Sequence, residues 1–232
     1  MHIIVHIGPP KTGTSSIQAA LRINRDYLAS QDIYVYQAQK MTSKALALAF
    51  MGETRNSMPD IRQHFPAAAD AVAWSEACWE EFEAEVSARK PAVSVISSEM
   101  FGNLRDPSAF VARLGRTFER ITVVGYVRDP VELYVSQLAQ HIRSGARFRD
   151  LKSPLEYKYP KIWRIDNYIE LLGLANIRVR NFSRSNLRGG DVVVDFFQTV
   201  AYLAKRKIAL PTMPERVNES LPAAATVWLM TL

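Results

Sequence analysis

Two short stretches of the chain carry residue types that could hold a multiply charged oxyanion. The first, Gly8-Pro-Pro-Lys11-Thr-Gly13-Thr14-Ser15, follows one apolar run and precedes an amphipathic one. A loop in that position can wrap successive backbone N–H groups around an oxyanion, while the N-terminus of the following helix adds partial positive charge. It matches the nucleotide-hydrolase pattern G-x-x-x-x-G-K-[ST] in part: Gly8 and Gly13 have the separation, and Ser15 falls at the [ST] position. The lysine does not fit, because Thr14 occupies its place and Lys11 lies three residues earlier. That departure weighs against ordinary ATP or GTP hydrolysis. The plain alternative is a strand-to-helix turn, with Thr14 capping the helix and Lys11 pointing into solvent.

The second stretch is Arg128-Asp129-Pro130, closing the apolar run that begins at Val123, with Ser136 beyond it. Asp129 suits an N-cap and Pro130 the first helical position, so Arg128 falls at the carboxyl end of a strand. Ser136 then lies about two turns into the helix, and a phosphate lying along that helix could touch both residues. Taken alone, this stretch reads better as Arg128 paired with Asp129, with Ser136 a neutral helix residue.

Together the two stretches resemble the sulfotransferases that use 3′-phosphoadenosine 5′-phosphosulfate (PAPS). The first motif of that family is a strand followed by P-K-[ST]-G-T-[ST]-[ST], matched here by Pro10, Lys11, Thr12, Gly13, Thr14, Ser15 and Ser16. The second is R-[ND]-P followed by a serine in the next helix, matched by Arg128, Asp129, Pro130 and Ser136. The resemblance implies a P-loop-like fold that moves a sulfuryl group from PAPS to a hydroxyl or amine, with no metal. It implies that Lys11, Gly13, Thr14 and Ser15 hold the 5′-phosphosulfate, and that Arg128 and Ser136 hold the 3′-phosphate. Lys11 is then the donor to the bridging oxygen. Glu99, at the carboxyl end of the run Ala92–Ser98, is the candidate general base, set against a capping or salt-bridging carboxylate. More loosely, Trp163, Tyr168, Leu172-Gly173, Asp195-Phe196-Phe197 and Asn218-Glu219-Ser220 look like the later part of bacterial carbohydrate-type members, which favours a carbohydrate acceptor. The glycine- and lysine-rich C-terminal loop of the small-molecule branch has no counterpart, so the chain reads as a truncated or unusually short member. A P-loop kinase or hydrolase, and a non-catalytic nucleotide-binding protein on the same fold, are the alternatives.

The elements that must position these residues alternate in type. Ile3–Ile7 reads as a buried strand, followed by a helix with Ile17, Ala20, Leu21 and Leu28 on one face. Ile33–Tyr36 reads as a strand, and Val72, Trp79, Phe82 and Val86 as the stripe of a long helix. Strands at Ala92–Ser97 and Ile121–Val127 precede a helix with Val131, Val135, Leu138 and Ile142 on its apolar face. Ile162–Leu172 reads as helix, Ile177–Arg180 as strand and Val192–Leu203 as helix. The alternation implies an α/β class: one domain over residues 1–232 with a central parallel sheet flanked by helices. Ligands of such sheets bind outside the carboxyl ends of the strands.

Composition sets outer bounds. The chain has 232 residues, a formal charge of +6 and a single cysteine, Cys78, which excludes an intrachain disulfide or a cysteine cluster for zinc. His2, His6, His64 and His141 are scattered and form no compact metal-ligand set; His6 reads as a hydrogen-bonded core residue, His141 as surface or cleft rim. No run is long and apolar enough for a transmembrane helix and no signal peptide is evident, so the expected location is the cytoplasm. The positive charge favours anionic partners and concentrates at Arg143, Arg147, Arg149, Lys152, Lys158, Lys161 and Arg164, a possible surface for an acidic glycan. No nucleic-acid-binding motif accompanies it.

Overall fold

The computed structural model describes residues 1–9, 11–52, 58–143, 145–157, 164–209 and 212–214. Five strands, β1 (His2–Ile7), β2 (Ile33–Val35), β3 (Val93–Ser98), β4 (Arg120–Val127) and β5 (Ile177–Asn181), form one sheet in the order β2-β3-β1-β4-β5, with every pairing parallel. All six residues of β1 are buried. A strand covered on both faces needs apolar side chains in succession rather than in alternation, and H-I-I-V-H-I supplies them. The two histidines are accommodated by hydrogen bonds, His2 with Thr122 Oγ1 at 2.9 Å and His6 with Ser97 Oγ at 2.7 Å. Burial holds the His6 imidazole neutral, its pKa pushed down to about 3, which fits a core residue.

Helices cover both faces, as the alternation of segments implies. They are α1 (Thr14–Ile23), α2 (Arg25–Ser30), α3 (Thr42–Ala45), α4 (Pro59–His64), α5 (Ala68–Arg89), α6 (Ser108–Leu114), α7 (Pro130–Arg143), α8 (Arg164–Leu172) and α9 (Val192–Ala204). Ile3, Val5 and Ile7 of β1 pack with Trp79 and Phe82 of α5, Phe110 of α6 and Tyr168 of α8. On the other face, Ile4 packs with Ile17 and Leu21 of α1 and with Phe196 and Val200 of α9.

Three expectations differ from this arrangement in detail. The helix expected to run through Ile17 and Leu28 breaks at Asn24, whose amide donates to Ala20 O at 2.8 Å and to Thr212 O at 3.0 Å. The buried face of α5 runs through Ala71, Ser75, Cys78, Trp79, Phe82 and Val86 rather than Val72. Ser75 can occupy a core position because its hydroxyl donates to Ala45 O at 2.5 Å and accepts from Ala49 N at 3.0 Å. On α7, Val131 and Val135 are exposed, at 65% and 56%, and Leu133 and Ile142 are the buried residues. The start of the helix expected from Ile162, and Asn218-Glu219-Ser220, lie outside the described residues.

A buried charge fixes the β5 edge of the sheet. Asp195, fully buried on α9, forms an ion pair with Arg180 of β5 that includes a 2.5 Å contact to Nη2. It also accepts from the Tyr126 hydroxyl of β4 at 2.8 Å and from Arg188 N at 3.0 Å. Burial, then the neighbouring carboxylate, pushes the Tyr126 phenol above its ordinary pKa. Removing one partner of a buried ion pair typically costs about 3–5 kcal/mol. Asp195→Ala should therefore lower the unfolding free energy in urea by about that amount. A loss under about 1 kcal/mol would mean that the pair is not holding this edge together.

Candidate functional site

Parallel strands deliver the chain to the same edge of the sheet at every turn. The register pairs Ile7 with Ser98 on one side and with Gly125 on the other, so β3, β1 and β4 end side by side. Glu99 follows β3 directly, Arg128 follows β4 directly, and Lys11 lies in the loop after β1. From β1 the chain leaves through α1 towards β2, and from β4 it leaves through α7 and α8 towards β5 on the opposite side. Neighbouring strands whose connections diverge leave a crevice between them. A cleft of about 790 Å³ lies there, lined by Lys11, Thr14, Ser15, Glu99, Arg128 and Ser136 among others. Gly13 and Ser16 also border it.

The loop after β1 is shaped by two left-handed residues, Lys11 (φ 69°) and Gly13 (φ 76°). Such a conformation costs a non-glycine residue about 1–2 kcal/mol, so the rest of the loop must hold Lys11 in place. Thr12 contributes: its buried side chain donates to Pro9 O at 2.7 Å and braces the loop from within. Helix α1 begins after Gly13 with no side-chain cap and no acidic residue in its first turn. Thr14 is thus the first helical residue rather than the cap, and its buried Oγ1 has no hydrogen-bond partner among the described residues. The first N–H groups of α1 accordingly keep their partial positive charge at the cleft.

Two glycines permit this packing. A Cβ on Gly8 would lie 2.2 Å from Thr14 Oγ1. A Cβ on Gly13 would lie 2.6 Å from Val192 Cγ1 and 3.2 Å from Phe182 Cε2.

Across the cleft, the Arg128 guanidinium donates through Nη1 to Lys11 O at 3.2 Å and through Nε to Glu132 at 3.2 Å, and sits 5.4 Å from the centre of the Phe182 ring. Asp129 is not its partner. That carboxylate caps α7, accepting from Val131 N at 2.9 Å and Glu132 N at 3.1 Å. Lys11 has its ammonium pKa lowered by burial first, then by Arg143 and Arg128, with Glu99 acting in the opposite sense. Three cations and one carboxylate thus crowd one cleft.

Most of the residues singled out in the sequence therefore meet in one place. The Thr12 side chain is the exception, buried beneath the loop, and Pro10 lies outside the described residues. Sequence reasoning missed Phe182, Gln140 and the part Arg143 plays in the cleft. Ser136, Gln140 and Arg143 stand at i, i+4 and i+7 on α7, a polar stripe that was there to be read. Phe182 gave no such signal, because it reaches the site through the parallel pairing of β5 with β4 and a hydrogen bond from its own N–H to Val127 O at 2.6 Å. A second chamber of about 1100 Å³ borders the cleft, shares Ser15, Ser16, Arg128 and Phe182 with it, and runs between α1 and the start of α9.

No family model and no curated protein matches the sequence. Among solved structures, the chain is similar to a sulfotransferase from Alicyclobacillus acidocaldarius, with 15% identity over 99% of this chain and 94% of that one and a TM-score of 0.55. At that identity the likeness is one of fold, and it assigns the chain to the P-loop-like α/β architecture of that structure. Two weaker likenesses, both at 13% identity and a TM-score of 0.43, fall below the level of a common fold. One is to the PezAT toxin–antitoxin system of Streptococcus pneumoniae, over 90% of this chain and 80% of that one. The other is to a sulfotransferase domain from the curacin biosynthetic pathway, over 90% and 75%.

The contact at Gly8 is testable without any ligand. Gly8→Ala should force Thr14 or the loop to move, costing about 1–3 kcal/mol as overpacking does, or roughly 2–12 °C in melting temperature for a chain of this size. An unchanged melting temperature would mean that Thr14 simply rotates away and that the loop does not depend on the bare Gly8.

Proposed function

We propose that this chain transfers a sulfuryl group from PAPS to a hydroxyl or amine acceptor, with carbohydrate the favoured acceptor class. The observation that carries the reading is the convergence of Lys11, the uncapped start of α1, Arg128 and Ser136 on one cleft whose lining, among the described residues, includes one carboxylate, Glu99. The chain's own atoms fit such a ligand. The first N–H groups of α1 are uncapped by any side chain, and Gly8 lets Thr14 pack close beneath the loop. The neighbouring chamber has volume for a nucleoside next to Arg128. The fold likeness to the Alicyclobacillus sulfotransferase points the same way.

Each residue then has a distinct task. When bound, the donor supplies the sulfuryl group and carries away negative charge on its phosphates. Lys11 and the N–H groups at the start of α1 are directed to the phosphosulfate, where charge grows during in-line displacement. An ammonium that burial and two guanidinium groups have made less stable as a cation gains when an anion arrives. Arg128 and Ser136 take the 3′-phosphate, and the tie from Arg128 to Lys11 O couples that contact to the loop. Glu99, at the end of β3, accepts the proton of the acceptor hydroxyl or amine. Single-step positioning of this kind needs rigid elements: Glu99 and Arg128 directly follow buried strands, Ser136 lies on α7, and Lys11 sits in a loop braced by Thr12 and tied to Arg128.

Adenosine 3′,5′-bisphosphate should raise the melting temperature without added magnesium. At about 100 times its dissociation constant a ligand adds roughly 2.7 kcal/mol, or about 5–11 °C here. A shift with ATP and magnesium and none with the bisphosphate would replace this reading with a kinase. Arg128→Ala should weaken the bisphosphate by roughly tenfold to a hundredfold, while adenosine 5′-phosphosulfate, which lacks the 3′-phosphate, loses far less. Equal losses would remove Arg128 from the 3′-phosphate site.

The role of Glu99 has its own test. Glu99→Gln should keep bisphosphate affinity while turnover of an accepted substrate falls by about 10²–10⁴-fold. Near-full turnover in that variant would exclude Glu99 as the base.

A further inference from the structure

The edge of the sheet opposite the cleft carries a second concentration of positive charge. A groove of about 490 Å³ opens there between the starts of β4 and β5 and the end of α9, and Arg120, Arg178, Tyr202, Lys205, Arg206 and Lys207 line it. Its position follows from strand alternation. Ile121 and Ile177 belong to the core beneath α5, so Arg120 and Arg178, their neighbours in β4 and β5, project to the face that α9 covers. Helix α9 then ends at Ala204, and Lys205 turns the chain with a left-handed φ of 52°. That turn, closed by Lys205 N to Tyr202 O at 3.2 Å and Arg206 N to Ala201 O at 3.0 Å, brings three consecutive cations to the groove.

Structural needs explain part of this charge. A helix C-terminus favours a nearby cation, which accounts for Lys205. Arg206 has an exposed pairing with Asp32 at 3.7 Å, which contributes little. Arg178 donates to Ala175 O and Ile177 O, both at 2.8 Å. Yet no carboxylate lines the groove, and Arg206–Asp32 is the one ion pair that its five cations make among the described residues. Like charges gathered without counter-charges work against folding unless an anion answers them.

We propose that this groove is a second anion site, separate from the cleft, and that it holds an acidic polysaccharide, a slender chain with pendant sulfate or carboxylate groups. The cations follow a shallow, open groove, along which a narrow chain can lie with its pendant anions spaced against the exposed side chains. Tyr202, 71% exposed, offers one ring face to a sugar. Grooves for single-stranded nucleic acid stack successive bases on several aromatic rings, and here there is one. The assignment does not rest on sulfuryl transfer, because none of these residues lines the cleft. Arg120 and Arg128 stand eight strand positions apart, about 26 Å.

The test uses the full chain and a fluorescent sulfated dextran oligosaccharide. Binding should be measurable at low salt, weaken steeply as salt is added, and be absent for unsulfated dextran of the same length. Charge reversal by Lys205→Glu, Arg206→Glu and Lys207→Glu together should cut affinity about tenfold or more, and Arg120→Glu, which leaves the end of α9 intact, should cut it in the same direction. In both variants the thermal shift given by adenosine 3′,5′-bisphosphate should be unchanged, so failure of the groove and failure of the proposed function are read separately. A Lys11→Ala, Arg128→Ala variant should keep its binding to the sulfated chain. Absence of binding by the wild type, or loss of binding in the cleft variant alone, would overturn the proposal. So would tighter binding of single-stranded DNA or of anionic vesicles at equal charge, lost on reversal of the same residues.

Discussion

Asp195 places a carboxylate where no surface is exposed, and three elements converge to hold it. Arg180 comes from β5, the Tyr126 hydroxyl from β4 and the Arg188 N–H from the segment before α9. Taking a charge out of water costs several kcal/mol, and only a full set of donors offsets it. The return is positional as much as energetic. With Asp195 anchored, α9 has one orientation on the sheet, and its first residue, Val192, comes against Gly13 in the loop after β1. The path of that loop, and through it the left-handed Lys11, is thereby tied to an ion pair one turn further along α9.

The loop is the place where local preference is overruled. Lys11 adopts a backbone conformation that its side chain disfavours, Thr14 keeps a buried hydroxyl without a partner, and α1 starts without a cap. Each of these works against stability, and all three fall within four residues at the border of the cleft. Arg128 adds to the concentration of cations and at the same time accepts the task of holding the loop, through its bond to Lys11 O. A protein selected only for folding would place carboxylates here. Rules of local consistency are broken where an incoming ligand can supply what is missing, which is why the strain itself marks the site.

How much of this could be read in the sequence depended on how local each cause was. The run from His2 to Ile7 and the glycines that follow it declare a buried strand and a turn within a dozen residues, and Arg128-Asp129-Pro130 declares a strand end and a helix start in three. The cleft follows from those two stretches once parallel pairing is assumed. The face of α5 was less legible. Hydrophobicity favours Val72, whereas the fold buries Ser75, because two backbone groups around Ala45 and Ala49 need its hydroxyl and no periodicity announces them. On α7 the valines suggested a packed stripe, but the helix forms a wall of the cleft, and its polar stripe of Ser136, Gln140 and Arg143 is the one that matters. Phe182 and Asp195 depend on pairings between segments far apart in the chain, which residue types at short range cannot encode.

The two edges of the sheet are electrically different for a reason built into the architecture. Where strands run parallel and helices return antiparallel to them, helix N-termini gather at the carboxyl edge of the strands and helix C-termini at the amino edge. At the carboxyl edge the partial positive charge of α1 adds to that of Lys11 and Arg128, so the backbone and the side chains act together on an anion. At the amino edge the carbonyls ending α9 oppose any anion, and cations must first neutralise them. A helix terminus carries about half an elementary charge, which one lysine covers. Arg120, Arg178, Lys205, Arg206 and Lys207 together far exceed that requirement. An excess at the edge where the backbone works against anions has to come from side chains alone, and it is this surplus, rather than the presence of basic residues as such, that sets the groove apart from an ordinary helix end.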